Sequence, residues 1–452
     1  MPKIQRVLFS LLLVLCANSF AQMSPRVQND KLYQIIDEVQ ADRLESDITK
    51  LVSFGTRHTL SDTVSKTRGI GAARRWIKSE FDKINSDCNN CLEVRYVRTL
   101  VKGDPNTRIP MDTYVVSVIA IQKGNSQSNA YIAMAGDIDS RVSDILNYTD
   151  DSPGANDNAT GVAGVLESAR VLSRYKFENN IIYMAISGEE QGLYGGQHIA
   201  EEIKSLGWDM IGVFNNDMIG NIEGIDGIID NREFRIFSEP TPVDESDRNR
   251  RMRRYYGGEV DGVSRQLARY VYTTTSQYLP ELKPILIYRL DRFGRGGHHR
   301  PFNDVGFAGL RIMEAHENYN RQHQDIRTEN GIEYGDVLSG VDFDYTAQLT
   351  RVNAISMARL ASAPAAPKTV SVGGAVEPST VLKWEKSTSG NVLGYYVYWR
   401  STTADNWEHR IFVKQNEHTL KGWVIDNYLF GVSAVNASGD ESVVVFPSQV
   451  IR

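Results

Sequence analysis

ATGVAGVLESARVLSRYKFENNIIYMAI, residues 159–186, carries two hydrophobic rhythms in succession. In the first part Val162, Val165, Leu166, Ala169 and Leu172 recur at three- and four-residue steps, the apolar stripe of a helix. The second part, NIIYMAI (180–186), is an apolar run of strand length. The alternation continues on both sides. MDTYVVSVIAI (111–121) and NAYIAMA (129–135) read as strands before it; YGGQHIAEEIKSLG (194–207) reads as a helix and MIGVFNN (210–216) as a strand after it. Upstream, residues 29–51 have helical periodicity with many charges, and GIGAARRWIKSEFDKI (69–84) is an amphipathic helix with Ala73, Trp76, Ile77 and Phe81 on one face. Strands alternating with helices predict an α/β fold: a mixed, mostly parallel sheet flanked by helices. In such sheets ligands gather at the carboxyl ends of the strands.

The chain's 452 residues exceed what one ordinary core organises, so two folded units are expected. ASAPAAPK (361–368) reads as a linker. Beyond it, over 369–452, TVSVGG, TVLKWEK, GYYVYWR, HRIFVK and YLFGVSAVN are short alternating strands between turn residues, the pattern of a small all-β sandwich. Trp384 falls in an early strand and Tyr428 opens a late one. With GYYVYWR and YLFGVSAVNASGDES, this stretch resembles a fibronectin type III module.

At the other end MPKIQRVLFSLLLVLCANSFAQ has basic Lys3 and Arg6, an apolar core from Val7 to Cys16, and small residues Ser19 and Ala21. It reads as a signal peptide, 1–21, cleaved before Gln22, and places the mature chain outside the cytoplasm, in a periplasm or the extracellular space. The apolar run is too short to span a bilayer, and no later stretch is long and apolar enough for a membrane helix. The mature chain then holds only Cys88 and Cys91, expected as a small-ring disulfide in an exported protein. A net charge of −6 argues against a nucleic-acid partner, and the basic run RNRRMRR (248–254) reads as a solvated face.

The chemistry sits in the acidic residues that end the strands of the 22–360 unit. Asp137 and Asp139 follow the second strand in GDIDSR (136–141). Asp157 lies in PGANDNATG, just before a helix. Glu189 and Glu190 follow the third strand in SGEEQGLYGG, and Asp217 follows the fourth in NNDMIG. One acidic strand end is ordinarily a cap or a solvated loop. Four in phase with the β/α alternation converge on one edge of the sheet, which is unfavourable unless cations neutralise them. His298 and His299 in GGHHRPF, and His316 and His323 in HENYNRQHQDIRT, are available as nitrogen ligands for zinc.

In this order and on these elements, GDIDSR, PGANDNATG, SGEEQGLYGG, NNDMIG, GGHHRPF and NYNRQHQD resemble the zinc aminopeptidases of peptidase family M28 over residues 50–345. The resemblance implies two zinc ions bridged by Asp157. One would be completed by Glu190 and His323, the latter preferred to His316; the other would be completed by Asp217 and the residue at 137. It implies Glu189 as general base, peptides with a free amino terminus as substrates, and His299 and Tyr319 as pocket residues. Two positions depart from the family. Where it has His-x-Asp, this chain has Asp137-Ile138-Asp139, and where it places an aromatic residue before the late histidine, this chain has Gln322. Asp137 is therefore expected as a direct oxygen ligand, with Asp139 in the second shell of the site. A weaker second site, or a single metal, are the alternatives. An oxygen-rich set also tilts tolerance toward manganese or cobalt. Asp137 beside Asp139 requires either a shared proton or a neighbouring cation such as Arg141. Two other readings of the same scaffold stand beside the peptidase: a glutaminyl-peptide cyclotransferase with one zinc ion, and a non-catalytic binding relative.

Overall fold

The structure, a computed structural model, describes residues 24–125 and 128–451, so the segment read as a signal peptide lies outside the described residues. Helices α1 (Asp30–Glu38) and α2 (Ala41–Val52) replace the single helix expected over 29–51. Val39 and Gln40 between them are extended. The break buries Val39 in the core, and the freed N–H of Gln40 donates to Glu167 Oε1 at 2.9 Å. Helix α3 (Gly69–Asp87) ends at Cys88, which forms a disulfide with Cys91.

An eight-stranded sheet follows. Its strands are β1 (Leu92–Val101), β2 (Thr113–Gln122), β3 (Ala130–Asp137), β4 (Asn180–Ile186), β5 (Asp209–Asn216), β6 (Glu233–Ser238), β7 (Lys283–Ile287) and β8 (Gly309–Glu314), in the order β1-β2-β4-β3-β5-β8-β6-β7. The centre, β4-β3-β5-β8, is parallel, while β1, β2 and β6 pair antiparallel to their inner neighbours. Strand alternation feeds two cores. Ile132, Met134, Ile181, Tyr183 and Phe214 face a large apolar layer with α1 to α3, α4 (Thr160–Leu172), α7 (Val263–Tyr278) and α9 (Phe343–Ser362). Tyr131, Ala133, Ala135, Ile182 and Met184 face the opposite layer, with Ile199, Ala200 and Ile203 of α5 (Tyr194–Ser205) and Phe302 of α8 (His299–Asp304). The basic run lies on α6 (Asp247–Tyr256), and a short hairpin, β9 (Arg327–Glu329) and β10 (Ile332–Tyr334), lies between β8 and α9.

Helix α4 approaches β3 so closely that a Cβ at Gly136 would lie 2.4 Å from the carbonyl carbon of Gly161. This contact brings the turn before α4 down onto the carboxyl end of β3. In the parallel register Asp137 lies beside Ile186, and Gly136 beside Asn216. The loops leaving β3, β4 and β5 therefore start at one level of one sheet edge.

Helix α9 runs through Ser362, into the stretch expected as a linker, and the Ala361 carbonyl accepts from the N–H groups of Glu178 and Asn179 at 3.0 and 2.9 Å. After it come β11 (Val370–Gly373), β12 (Ser379–Trp384), β13 (Gly394–Ser401), β14 (His409–Val413), β15 (Glu417–Lys421), β16 (Tyr428–Val435) and β17 (Gln449–Val450). They form a four-stranded sheet, β15-β12-β11-β17, and a three-stranded sheet, β14-β13-β16. Between the sheets lie Leu382, Trp384, Tyr395, Val397, Trp399, Phe430 and Val432.

Candidate metal centre

The turn that carries Asp157, Ala155–Ala159, is fixed from below. Asp336 accepts the N–H groups of Asn156 and Asp157 at 2.8 and 2.7 Å, so a carboxylate caps two backbone donors the turn would otherwise leave buried and unpaired. Burial pushes the Asp336 carboxyl up to about 6. Arg57, fully buried, ties this turn to the end of β3: its Nε donates to the Ile138 carbonyl and its Nη2 to the Gly154 carbonyl, both at 2.8 Å. Neither Arg57 nor Asp336 follows a strand in phase with the other acids, and nothing in the sequence marks them.

Asp139 shapes the neighbouring loop. It accepts from three successive N–H groups, Gly188 at 2.9 Å, Glu189 at 3.3 Å and Glu190 at 3.0 Å, and from the Thr59 hydroxyl at 2.9 Å. Asp139 also lies near enough to Asp137 to push that carboxyl upward. Its oxygens are turned onto the β4–α5 loop, where they hold the Glu189–Glu190 backbone.

Three side chains meet. His323 Nε2 lies 2.8 Å from Glu190 Oε1 and 2.9 Å from Asp157 Oδ2. Among the described residues, Asp157, Glu190 and His323 form the group whose donor atoms all lie within 4.8 Å of one another. His323 adopts φ 55°, a left-handed conformation unfavourable for a residue with a Cβ, of the kind that persists at functional sites. Burial would raise the Asp157 and Glu190 carboxyls, but His323 beside them holds both below their ordinary range. Burial would in turn lower His323, and the two carboxylates overcome it, pushing it up to about 9. One nitrogen and two carboxylate oxygens converging on a point are a donor set suited to zinc. The residues present fit one such ion. Arg141, expected as a cation for the 137/139 pair, instead donates from Nε to Glu190 Oε2 at 2.8 Å, and its Nη2 lies 2.6 Å from His323 Nδ1.

Asp137 and Asp217 stand apart from this group. Asp137 Oδ1 contacts His298 Nδ1, and its Oδ2 accepts from Asn158 Nδ2 at 2.8 Å. Burial and then Asp139 push the Asp137 carboxyl well above its ordinary range, and burial lowers His298 to about 4. Asp217 Oδ2 pairs with Arg311 Nη2 at 3.0 Å. Among the described residues the second ligand set expected from the sequence, Asp137 with Asp157 and Asp217, does not meet at the spacing of the first, although Asp157 lies near enough to push the other two carboxyls upward.

The histidine pair resolves against the expectation. His298, not His299, reaches the site, packed on α5 where a Cβ at Gly196 would lie 2.4 Å from His298 Cδ2. His299 Nε2 faces the Leu290 carbonyl at 2.8 Å and Asp291 at 3.4 Å, away from the three-residue group. Tyr319 stands 55% exposed in the loop after β8, outside the buried cluster. Glu189 lies among the acids: burial pushes its carboxyl well above the ordinary range, and Glu190, Asp217, Asp137 and Asp139 add to the shift.

Comparison with known proteins gives a consistent set of likenesses. Residues 117–336 match the family described as Peptidase family M28. A protein named "Probable zinc metalloprotease" from Pyrenophora tritici-repentis is 41% identical over 434 residues, 95% of this chain and 89% of its own. Another of that description from Leptosphaeria maculans is 40% identical over 423 residues, covering 92% of this chain and 97% of its own. Among solved structures, the LapA aminopeptidase of Legionella pneumophila shares the fold with a TM-score of 0.53 at 17% identity, over 75% of this chain and 77% of that one. LapB of the same organism has a TM-score of 0.53 at 16% identity, over 80% and 83%.

Proposed function

The chain belongs to peptidase family M28, and from that premise we propose that it is an exported zinc aminopeptidase, releasing amino-terminal residues from peptides. The observation that carries the reading is the meeting of Asp157, Glu190 and His323, with Glu189 next to Glu190 in the chain and buried among the neighbouring acids. In this reading those three residues hold zinc, and Glu189 is the catalytic base.

When bound, zinc supplies Lewis-acid polarisation of the scissile carbonyl and favours ionisation of the attacking water. The chain's own residues do the rest. Glu189 takes the proton of the attacking water on its carboxylate and passes it to the departing nitrogen. Burial and the neighbouring acids push the Glu189 carboxyl upward, and a cation bound beside it would favour its ionised form. Asp139 sets the direction of Glu189 and Glu190 by gripping the backbone of both. Asp336 and Arg57 hold the Asp157 turn against the end of β3.

Export is supported by the basic and apolar leader pattern over 1–21 and by the Cys88–Cys91 disulfide. No helix among the described residues is long and apolar enough to cross a membrane. We read the C-terminal sandwich as a fibronectin type III-like module. Its two facing sheets support this, as do the bridges Val432↔Val445 and Val435↔Glu441, which lay the last segment along β16 before β17 joins the other sheet.

A second reading, a glutaminyl-peptide cyclotransferase, is favoured by one observation: the engagement of Asp137 by His298 rather than by the three-residue group. Mass spectrometry of peptide digests separates the two. A peptide with a free amino terminus is expected to lose residues one at a time, and its N-acetylated counterpart to remain intact. Loss of ammonia from a glutamine-terminated peptide without chain shortening would replace the aminopeptidase with the cyclase.

A further inference from the structure

Two carboxylates, Asp137 and Asp217, lie outside the three-donor group, and each is engaged by another part of the chain. The partner of Asp217 is the informative one. Arg311 lies on β8 directly across from Asn215 of β5, two residues before Asp217, and is fully buried. Its Nη2 pairs with Asp217 Oδ2 at 3.0 Å and donates to the Asp217 carbonyl at 3.1 Å. Its Nη1 donates to Asp291 Oδ1 at 3.1 Å, Asp291 Oδ2 at 3.3 Å and the Gly296 carbonyl at 3.0 Å. A guanidinium held this way is a permanent positive charge in the acidic cluster, since arginine does not give up its proton in proteins.

We propose that this centre binds a single zinc ion, at Asp157, Glu190 and His323, and that the Arg311 guanidinium takes the place of a second metal cation beside Asp217. The inference rests on the metallopeptidase reading only for the first ion. A second divalent ion between Asp137 and Asp217 would compete with His298 and Asn158 for the oxygens of Asp137 and with Arg311 for Asp217 Oδ2. It would sit next to the buried Arg311 guanidinium, an unfavourable meeting of like charges away from water. The arrangement also accounts for the aspartate at 137. With a resident cation on Asp217, position 137 is released from metal binding and serves to seat His298 against α5.

Metal stoichiometry tests this without reference to turnover. The full chain, incubated with excess zinc and desalted, is expected to carry about one zinc ion per chain by mass spectrometry of the metal. Asp157→Asn is expected to lose it. Asp217→Asn keeps it, with affinity reduced by no more than the 10- to 100-fold typical of a neighbour that does not bind metal. Arg311→Met, where it folds, is expected to take up a second ion; a folded Arg311→Met that stops at one overturns the role given to Arg311. The stoichiometry of the unsubstituted chain and of Asp217→Asn decides the number of ions even if Arg311→Met does not fold. Two ions in the unsubstituted chain, none at all, or loss of the ion in Asp217→Asn overturns the proposal. One bound ion with no hydrolysis of any peptide would instead sink the aminopeptidase reading and leave this one standing.

Discussion

Asp139 accepts three consecutive backbone N–H groups and a hydroxyl. Such a carboxylate acts through others: it fixes where Glu189 and Glu190 point. Asp139→Asn puts an amide N–H₂ among groups that are all donors, so one of these contacts becomes a clash of donors. We expect zinc affinity and kcat/KM to fall about 10- to 100-fold while far-UV circular dichroism is unchanged, which metal titration and steady-state kinetics would check. At this scale the sequence is half legible. Acids in phase with strand ends can be counted along the chain, and the counting finds Asp157 and Glu190 of the three-residue group. It does not tell which of two adjacent buried histidines faces Asp137. His298 and His299 differ by one position at the start of a short helix, and packing against Gly196 selects the first.

At the scale of elements, the readable pieces are those whose hydrophobic period is uninterrupted. Strands β3, β4 and β5 and helices α4 and α5 lie within a few residues of where periodicity places them, because each buries an uninterrupted apolar run or stripe. The elements that escaped do so for physical reasons. Strand β8 reads GLRIME, and its two charged residues, Arg311 and Glu314, are 0% and 1% exposed. An interior strand thus has the composition of a surface one, since its charges are matched by partners far along the chain: Asp217 and Asp291 for Arg311, Asn156 and Asn221 for Glu314. Helix α9 is buried nearly all round, so it has no polar face to set off an apolar stripe. The broken α1–α2 pair keeps helical periodicity across an interruption that only the tertiary contact to Glu167 explains.

The whole molecule joins its two sheet systems through buried charge. Asp261, on the segment before α7, accepts from Arg269 Nη1 at 2.7 Å, and Arg400 Nη2 of β13 reaches both of its oxygens at 2.9 Å. Arg359 of α9 pairs with Glu441 at 2.9 Å, and Tyr398 donates to the same carboxylate at 2.5 Å. Removing one partner strands the others away from water, so Arg400→Met is expected to cost about 3–5 kcal/mol. In scanning calorimetry the unsubstituted chain is expected to unfold in one transition, and Arg400→Met to release the sandwich in a separate, earlier one. The proposed activity requires Glu189 to work beside a zinc ion held by Asp157, Glu190 and His323. Its most direct test is a paired measurement on Glu189→Gln: zinc content by metal mass spectrometry, and kcat on an aminoacyl anilide. Zinc is expected to bind as in the unsubstituted chain, with kcat lowered about 10²- to 10⁴-fold, the usual worth of a general base. Turnover retained at the unsubstituted level, with zinc in place, would contradict it.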